Sequence, residues 1–318
     1  MFRQIENLRK SGTAVIYISR HLDEILSLAD RVTILKDGKI KGLLNIRDTN
    51  LDQIIGMMIG KDYKETVKSE SFAKEDSVLS IKDLMTTDGK VNGISYVLRK
   101  GEILGFYGVI GAGRTEMAKA VFIGHNRRQG EIRVNGEPVH IDSAQKAIRH
   151  GIVYSPQDRK SEGLLMNMGV SRNITVTILK KICRLGLIKK KEADRIVENY
   201  IKSLKIKTPS AFREVKYLSG GNQQKVVISK WLATESEVLI FDEPTIGIDV
   251  GTKEEILNIV LSLSQTGKSI IIISSEVEEL MKVCDRILIM RQGLLVKEFD
   301  RLEFDKHKLI AAAVGGEV

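Results

Sequence analysis

Three short runs in this 318-residue chain hold residue types that could handle a phosphate. The first is Gly108-Val-Ile-Gly111-Ala112-Gly113-Arg114-Thr115. Its glycines can curl the backbone around an anion, and a cation and a hydroxyl follow them. It succeeds an apolar run, Gly101–Gly108, and opens a predicted helix over Thr115–Phe122, so the helix N-terminus faces the loop. Thr115 suits magnesium, and Glu116 beside it joins the binding candidates. Arg114 stands where the pattern asks for lysine. A planar guanidinium is bulkier than an ammonium and binds as a fork, so this loop favours nucleotide binding over efficient hydrolysis.

The second run, Val238–Pro244 (VLIFDEP), reads as a buried strand ending in adjacent carboxylates. Asp242 suits a metal, and Glu243 suits a general base or a water-positioning group. The third, Leu218–Gln224 (LSGGNQQ), sets Ser219, Gly220 and Gly221 at a predicted helix start, where free N–H groups and a hydroxyl can meet an anion, with Gln223 just inside. The first two runs have plainer structural readings: a glycine-rich turn and charges at a strand end. Their order and spacing together argue for chemistry.

The beginning of the chain repeats its end. Val15–Ile40 aligns without gaps on Ile270–Leu295; Ser19 meets Ser274 and Gly38 meets Gly293, an offset of 274 − 19 = 255 in both cases. A period that long indicates duplication of a domain rather than a solenoid. Residue 1 then matches residue 256, so the first copy is expected to enter its fold partway, as the tail of a first domain. The chain reads as the C-terminal part of a tandem protein.

The motif set resembles ATP-binding cassette (ABC) ATPases. LSGGNQQ is similar to their signature, Asp242 and Glu243 to their Walker B pair, and Gly108–Thr115 to their P-loop. GAGRTE, LSGGNQQK, GIDVG (Gly247–Gly251), SSE (Ser274–Glu276) and AAAVGG (Ala311–Gly316) together resemble the ATP-binding subunit of carbohydrate importers of the ribose, galactose/methyl-galactoside and xylose type. The resemblance implies an α/β fold: a P-loop NTPase cassette with a parallel core sheet, a β-rich subdomain and a helical insert, preceded by the tail of a first cassette. It implies ATP and Mg2+ as ligands and makes Gln157 the Q-loop residue on the metal, although a surface Pro-Gln turn is the plain alternative. It makes Thr245–Val250 the D-loop, with Ile246 where the family commonly has arginine.

Cassettes of this family face head to tail. The resemblance therefore sends Ser219, Gly220 and Gly221 to a nucleotide held by another P-loop, and leaves Arg114 and Thr115 in a degenerate site. The family's switch histidine has no counterpart at Ser274-Ser275-Glu276. In the first copy His21 is the candidate, with a solvent-exposed helix-start histidine as its alternative. The family's adenine-stacking aromatic is also missing from Val78–Met85, leaving Leu84 or Met85 as an aliphatic substitute.

Bulk properties agree with a core-forming chain that has no membrane span: 42% of residues are hydrophobic, and no apolar run nears the roughly 18 residues that a spanning helix needs. Cys183 and Cys284 lack metal spacing and read as reduced thiols. The net charge of +9 is concentrated in KKICRLGLIKKKE, Lys180–Glu192, inside the predicted helical insert. Basic residues there suit a permease or an anionic membrane face, though a solvated helix face is the plain reading and the larger share of the explanation.

The expected organisation is a first-cassette tail over 1–45, a polar linker over 46–76 and a second cassette over 77–318. Strands are predicted near 79–84, 94–98, 102–107, 238–242 and 270–274, and helices over 142–149, 191–204 and 222–234. Residues 1–45 read as strand, helix and strand. The implied function is the energising subunit of a monosaccharide importer, on the cytoplasmic face of the membrane. Its implied partners are transmembrane permease subunits, a sugar-binding protein reached through the complex, and a further cassette or second copy. A soluble ABC ATPase acting on ribosomes or DNA, or a catalytically silent fragment, are the alternatives.

Overall fold

A computed structural model describes residues 2–19, 22–36, 38–59 and 66–316. His21, a candidate above, lies outside the described residues. The chain divides into two compact units. The first gathers the described residues up to 59 with Ile248–Glu255, and the second comprises Thr66–Gly247 and Ile256–Val318.

The first unit begins with helix α1 (Phe2–Lys10) and α2 (Leu22–Leu28). An antiparallel pair follows, β1 (Arg31–Lys36) and β2 (Lys39–Asn45), and then α3 (Leu51–Ile59). Val32, Ile34 and Ile54 form its small core, with Leu22, Ile25 and Leu26 packed against them. The alternation that buries Val32 and Ile34 and exposes Arg31 and Thr33 is the period-2 pattern of a half-buried strand.

The second unit opens with β3 (Ser77–Thr86), β4 (Asn92–Arg99) and β5 (Ile103–Tyr107). Then come α4 (Arg114–Ile123), β6 (Arg127–Val134), β7 (Glu137–Pro138), α5 (Ala144–Arg149) and β8 (Ile152–Ser155). The helical insert holds α6 (Val170–Thr175), α7 (Leu179–Ile182), a hairpin of β9 (Cys183–Arg184) and β10 (Leu187–Ile188), and α8 (Lys190–Ser203). The chain returns through α9 (Gly220–Leu232), β11 (Val238–Asp242), α10 (Val250–Gln265), β12 (Ser269–Ile273), α11 (Val277–Val283), β13 (Arg286–Arg291), β14 (Leu294–Asp300) and α12 (Lys306–Val314).

Two sheets organise the unit. The core sheet has the order β14-β13-β5-β12-β11-β8, parallel except for β14 at its edge. The other, β4-β3-β6-β7, is antiparallel. β11 and β12 are buried along their whole length, as continuous apolar runs under helices on both faces must be. The predicted second-cassette strands and helices all occur, with ends displaced by one or two residues.

The sequence repeat is also a repeat of structure. Adding 255 to the bounds of α2, β1, β2 and α3 gives those of α11, β13, β14 and α12 (22 + 255 = 277, 31 + 255 = 286, 39 + 255 = 294, 51 + 255 = 306). Even the bulge recurs, between Ile34 and Leu35 and between Ile289 and Met290. One element does not. Ile270–Ile273 forms a central strand, whereas the matching Val15–Ile18 has no strand, and Ile16 and Ile18 are 93% and 91% exposed. The predicted first strand is absent because among the described residues nothing pairs with its backbone, and a lone strand cannot satisfy its own N–H and C=O groups.

The polar segment read as a linker over 46–76 is largely structured. Residues 51–59 are α3, and Thr66–Asp76 is strapped to the second unit. Lys68 Nζ meets Asp285 at 2.6 Å with both side chains buried, and Asp285 also accepts the Ile103 N–H at 2.8 Å. Arg301 donates to the Lys68 carbonyl at 3.0 Å. Composition hid this because one buried ion pair outweighs a run of exposed charges. Lys68→Ala leaves Asp285 buried beside a single N–H donor and is expected to cost about 3 kcal/mol in urea unfolding. A loss below about 1 kcal/mol would show that the strap is held mainly by its backbone bonds.

Candidate functional site

The parallel strands β5, β12, β11 and β8 end at one edge of the core sheet, and their loops assemble there, as ligand sites in open α/β sheets do. β5 delivers Gly108–Gly113, β12 delivers Ser274 and Ser275, β11 delivers Asp242 and Glu243, and β8 delivers Gln157. A cavity of about 160 Å³ lies between them, lined by Gly111, Ala112, Gly113, Arg114, Thr115, Glu116, Gln157, Glu243, Ile246 and Ser275, with Ile110 at its mouth.

Close packing fixes the loop. A Cβ on Gly108 would sit 2.3 Å from the Met290 carbonyl oxygen, and one on Gly113, at φ +98°, 2.1 Å from that of Lys90. Neither position admits another residue without backbone movement. The first helical bond of α4 runs from the Met117 N–H to the Gly113 oxygen at 2.9 Å. The N–H groups of Arg114, Thr115 and Glu116 therefore emerge at the helix end beside the cavity, a ready anion site.

Arg114 does not point into the loop as a phosphate ligand would. Its guanidinium is buried, donates to the Ser274 carbonyl at 2.6 Å and lies 3.5 Å from Glu243. Glu243 sits at φ +46° and also accepts from the Ser275 hydroxyl at 3.1 Å. The carboxylate suited to be the base thus lies beside the arginine that stands where lysine is expected. Of the Ser274–Glu276 run that lacks the switch histidine, Ser275 lines the cavity and Glu276 is exposed.

Asp242 is fully buried at the end of β11. Its Oδ2 accepts from the Tyr154 hydroxyl at 2.9 Å, and the Thr115 hydroxyl also bonds to the carboxylate. Burial pushes its pKa up to about 6, against the lowering effect of these two hydroxyls. Oδ1 is buried without a protein partner, which fits a cation or a cation-bound water. Tyr154 is the functional residue that sequence reading missed. β8 and β11 pair in parallel with Ile240 opposite Tyr154, and that register carries the hydroxyl to Asp242 across 88 residues of sequence.

Arg159, two residues past Gln157, donates to the Ile246 carbonyl at 2.8 Å and so ties the Gln157 loop to the turn after Glu243. The signature residues lie outside this cavity. Ser219 caps α9, and its Oγ accepts from Asn222 at 2.8 Å. Gln223, named above as a binding candidate, turns its amide inward and donates to the Val215 and Leu218 carbonyls at 3.1 and 3.2 Å, so it holds the loop's shape. Lys230, on the same helix, is buried, donates to the Gly163 carbonyl and has its pKa pushed down to about 8 by desolvation. Leu84 is fully buried in the β-rich sheet, which leaves half-buried Met85 as the aliphatic surface there.

Residues 91–246 match the family described as ABC transporter. The chain has the ABC ATPase cassette fold over this region. It is 44% identical over 316 residues to a ribose import ATP-binding protein of Clostridium perfringens, covering 99% of this chain and 63% of that protein. A ribose import ATP-binding protein of Agrobacterium fabrum is 39% identical over 315 residues, covering 99% of this chain and 62% of its own length. The chain thus spans less than two thirds of the curated relatives it matches. Among solved structures, a nucleotide-free cassette from an ABC transporter superposes with a TM-score of 0.63 at 20% identity, covering 74% of this chain and 98% of that one. A dimeric cassette in a post-hydrolysis state, bound to ADP and Pi, gives 0.62 at 19% identity over 71% of this chain and all of that one. These likenesses establish the α/β cassette fold.

The raised Asp242 pKa fixes the sign of two pH effects. The folded chain holds this proton above the ordinary value of 3.8, so this group's contribution to stability falls as pH climbs from about 4 to about 6. Cation binding, which needs the carboxylate, strengthens over the same interval. Asp242→Asn is expected to raise the melting temperature of the ligand-free chain at pH 7.5 and to abolish magnesium-dependent nucleotide binding. Tyr154→Phe removes one donor and is expected to weaken that binding about 5- to 10-fold. Equal melting temperatures for wild type and Asp242→Asn between pH 6 and 8 would contradict the assignment.

Proposed function

We propose that this chain belongs to the ATP-binding, energising subunit of a monosaccharide importer, at the cytoplasmic face of a membrane, beside permease subunits that receive sugar from a binding protein. The observation that carries the reading is the convergence of the loop glycines, Thr115, Gln157, Glu243 and Ser275 on one cavity, with Asp242 buried beneath. Identity of 39% and 44% to ribose import ATP-binding proteins over nearly the whole chain supports the sugar class. Among the described residues no helix is long and apolar enough to cross a membrane, in keeping with a peripheral subunit.

In this reading ATP lies with its phosphates on the N–H groups of Gly111–Glu116. Magnesium, held by Thr115, Gln157 and Asp242, would neutralise charge on the β- and γ-phosphates when bound. Glu243 would orient water but is engaged by Arg114, so this site binds nucleotide and turns it over slowly. Ser219, Gly220 and Gly221 cap a nucleotide on a facing cassette, where catalysis is concentrated. Residues 2–59 are the C-terminal portion of a first cassette, and His21 is its switch residue.

Fluorescent ATP is expected to bind the chain in the presence of magnesium, with turnover near background. Arg114→Lys alone is expected to raise turnover less than about tenfold, because an acid–base imidazole worth on the order of 100-fold is still missing from Ser274–Glu276. A brisk rate that disappears in Glu243→Gln, with Arg114 in place, would overturn the degenerate-site assignment. Failure to recover a membrane permease with the chain from solubilised native membranes would remove the importer role and leave nucleotide binding intact.

A further inference from the structure

The hairpin β9–β10 is built against the ordinary rules for an exposed turn. Arg184 pairs with Leu187 and Cys183 with Ile188, leaving a two-residue loop, Leu185-Gly186. Both loop residues have positive φ, +51° and +79°, the signature of a type I′ turn. Such a turn favours Asn, Asp or Gly at its first position, because a leucine side chain is strained in the left-handed region. Leu185 is nevertheless there and is 95% exposed, with Leu187 at 75% and Ile188 at 54%. Neither local conformation nor packing within the unit accounts for this choice.

Basic side chains surround that apolar tip. Lys180 and Lys181 precede the hairpin, Arg184 is in it, and Lys189, Lys190 and Lys191 follow, with no acidic residue between 180 and 191. Lys181 pairs with Glu235 and Lys189 with Glu192, both on exposed side chains. Lys180, Arg184, Lys190 and Lys191 are exposed and make no salt bridge among the described residues. A solvated surface explains lysines but not three neighbouring exposed aliphatic side chains. A nucleic acid would use the charge and waste the leucines. An anionic bilayer surface uses both, since basic groups sit at the headgroups while short apolar side chains enter the acyl boundary.

We propose that the Cys183–Ile188 hairpin is a lipid-contacting element, which inserts Leu185 and Leu187 into the interface of an anionic membrane while Lys180, Arg184, Lys190 and Lys191 face its headgroups. This goes beyond the importer reading, since it concerns lipid itself and needs neither nucleotide nor permease.

The test is co-sedimentation of the 318-residue chain with vesicles of phosphatidylcholine alone or mixed with phosphatidylglycerol. Binding is expected only to the anionic vesicles and is expected to weaken at 0.5 M salt as charges are screened (the Debye length falls to about 4 Å). Lys190→Glu/Lys191→Glu is expected to weaken it at least about tenfold. Leu185→Asn is the decisive variant. It suits the left-handed turn better, so thermal stability should hold or rise while vesicle binding falls several-fold. Four results would overturn the proposal: no binding to anionic vesicles, equal binding to neutral ones, full anionic binding by the folded Leu185→Asn and lysine variants, or recruitment only when permease protein is in the vesicle. Tighter retention by single-stranded RNA than by anionic lipid, lost in the same variants, would assign the hairpin to nucleic acid instead. Magnesium-dependent nucleotide binding, measured on the same variants, reports separately on the cassette.

Discussion

Parallel strands that lie side by side must release their following loops at the same edge, and the order β5-β12-β11-β8 is the constraint on which this site depends. It places the phosphate loop beside the end of β12, and the end of β12 beside the carboxylates of β11. Arg114 can therefore reach the Ser274 carbonyl and Glu243 together. Both contacts are made by one guanidinium nitrogen, Nη1, so they use the reach of the side chain and not its fork. Sheet order thus brings the loop arginine against a residue 129 positions away (243 − 114 = 129).

The same edge explains why burial and function coincide at Asp242. The residue ends a strand covered on both faces, so its charge is expensive and its pKa rises to about 6. Hydroxyls from Thr115 and Tyr154 offset part of that cost, and one oxygen is left unpartnered. An acceptor arranged like this is incomplete as folded structure and suits a cation.

Most of the fold was legible because its signals are local. VLIFD and SIIII are apolar runs of strand length, and the glycine loop lies between a strand and a helix pattern. The repeat gave the relation between the units, down to shared element bounds. What escaped depends on pairing at a distance. Tyr154 reaches Asp242 only through the register of β8 on β11, and Lys68 finds Asp285 across 217 residues. The direction in which Arg114 points has no sequence signature. Neither does the inward turn of Gln223, whose position in LSGGNQQ suggests ligand contact while its amide braces the loop.

Val15–Ile18 shows how far context decides what a stretch of chain becomes. Its counterpart, Ile270–Ile273, is sealed inside the core sheet with both edges hydrogen-bonded, whereas Ile16 and Ile18 stand almost bare to water. A β-branched run with open donors and acceptors is a template for intermolecular pairing. Self-association of this polypeptide is therefore expected to begin at Val15–Ile18 and to depend on concentration.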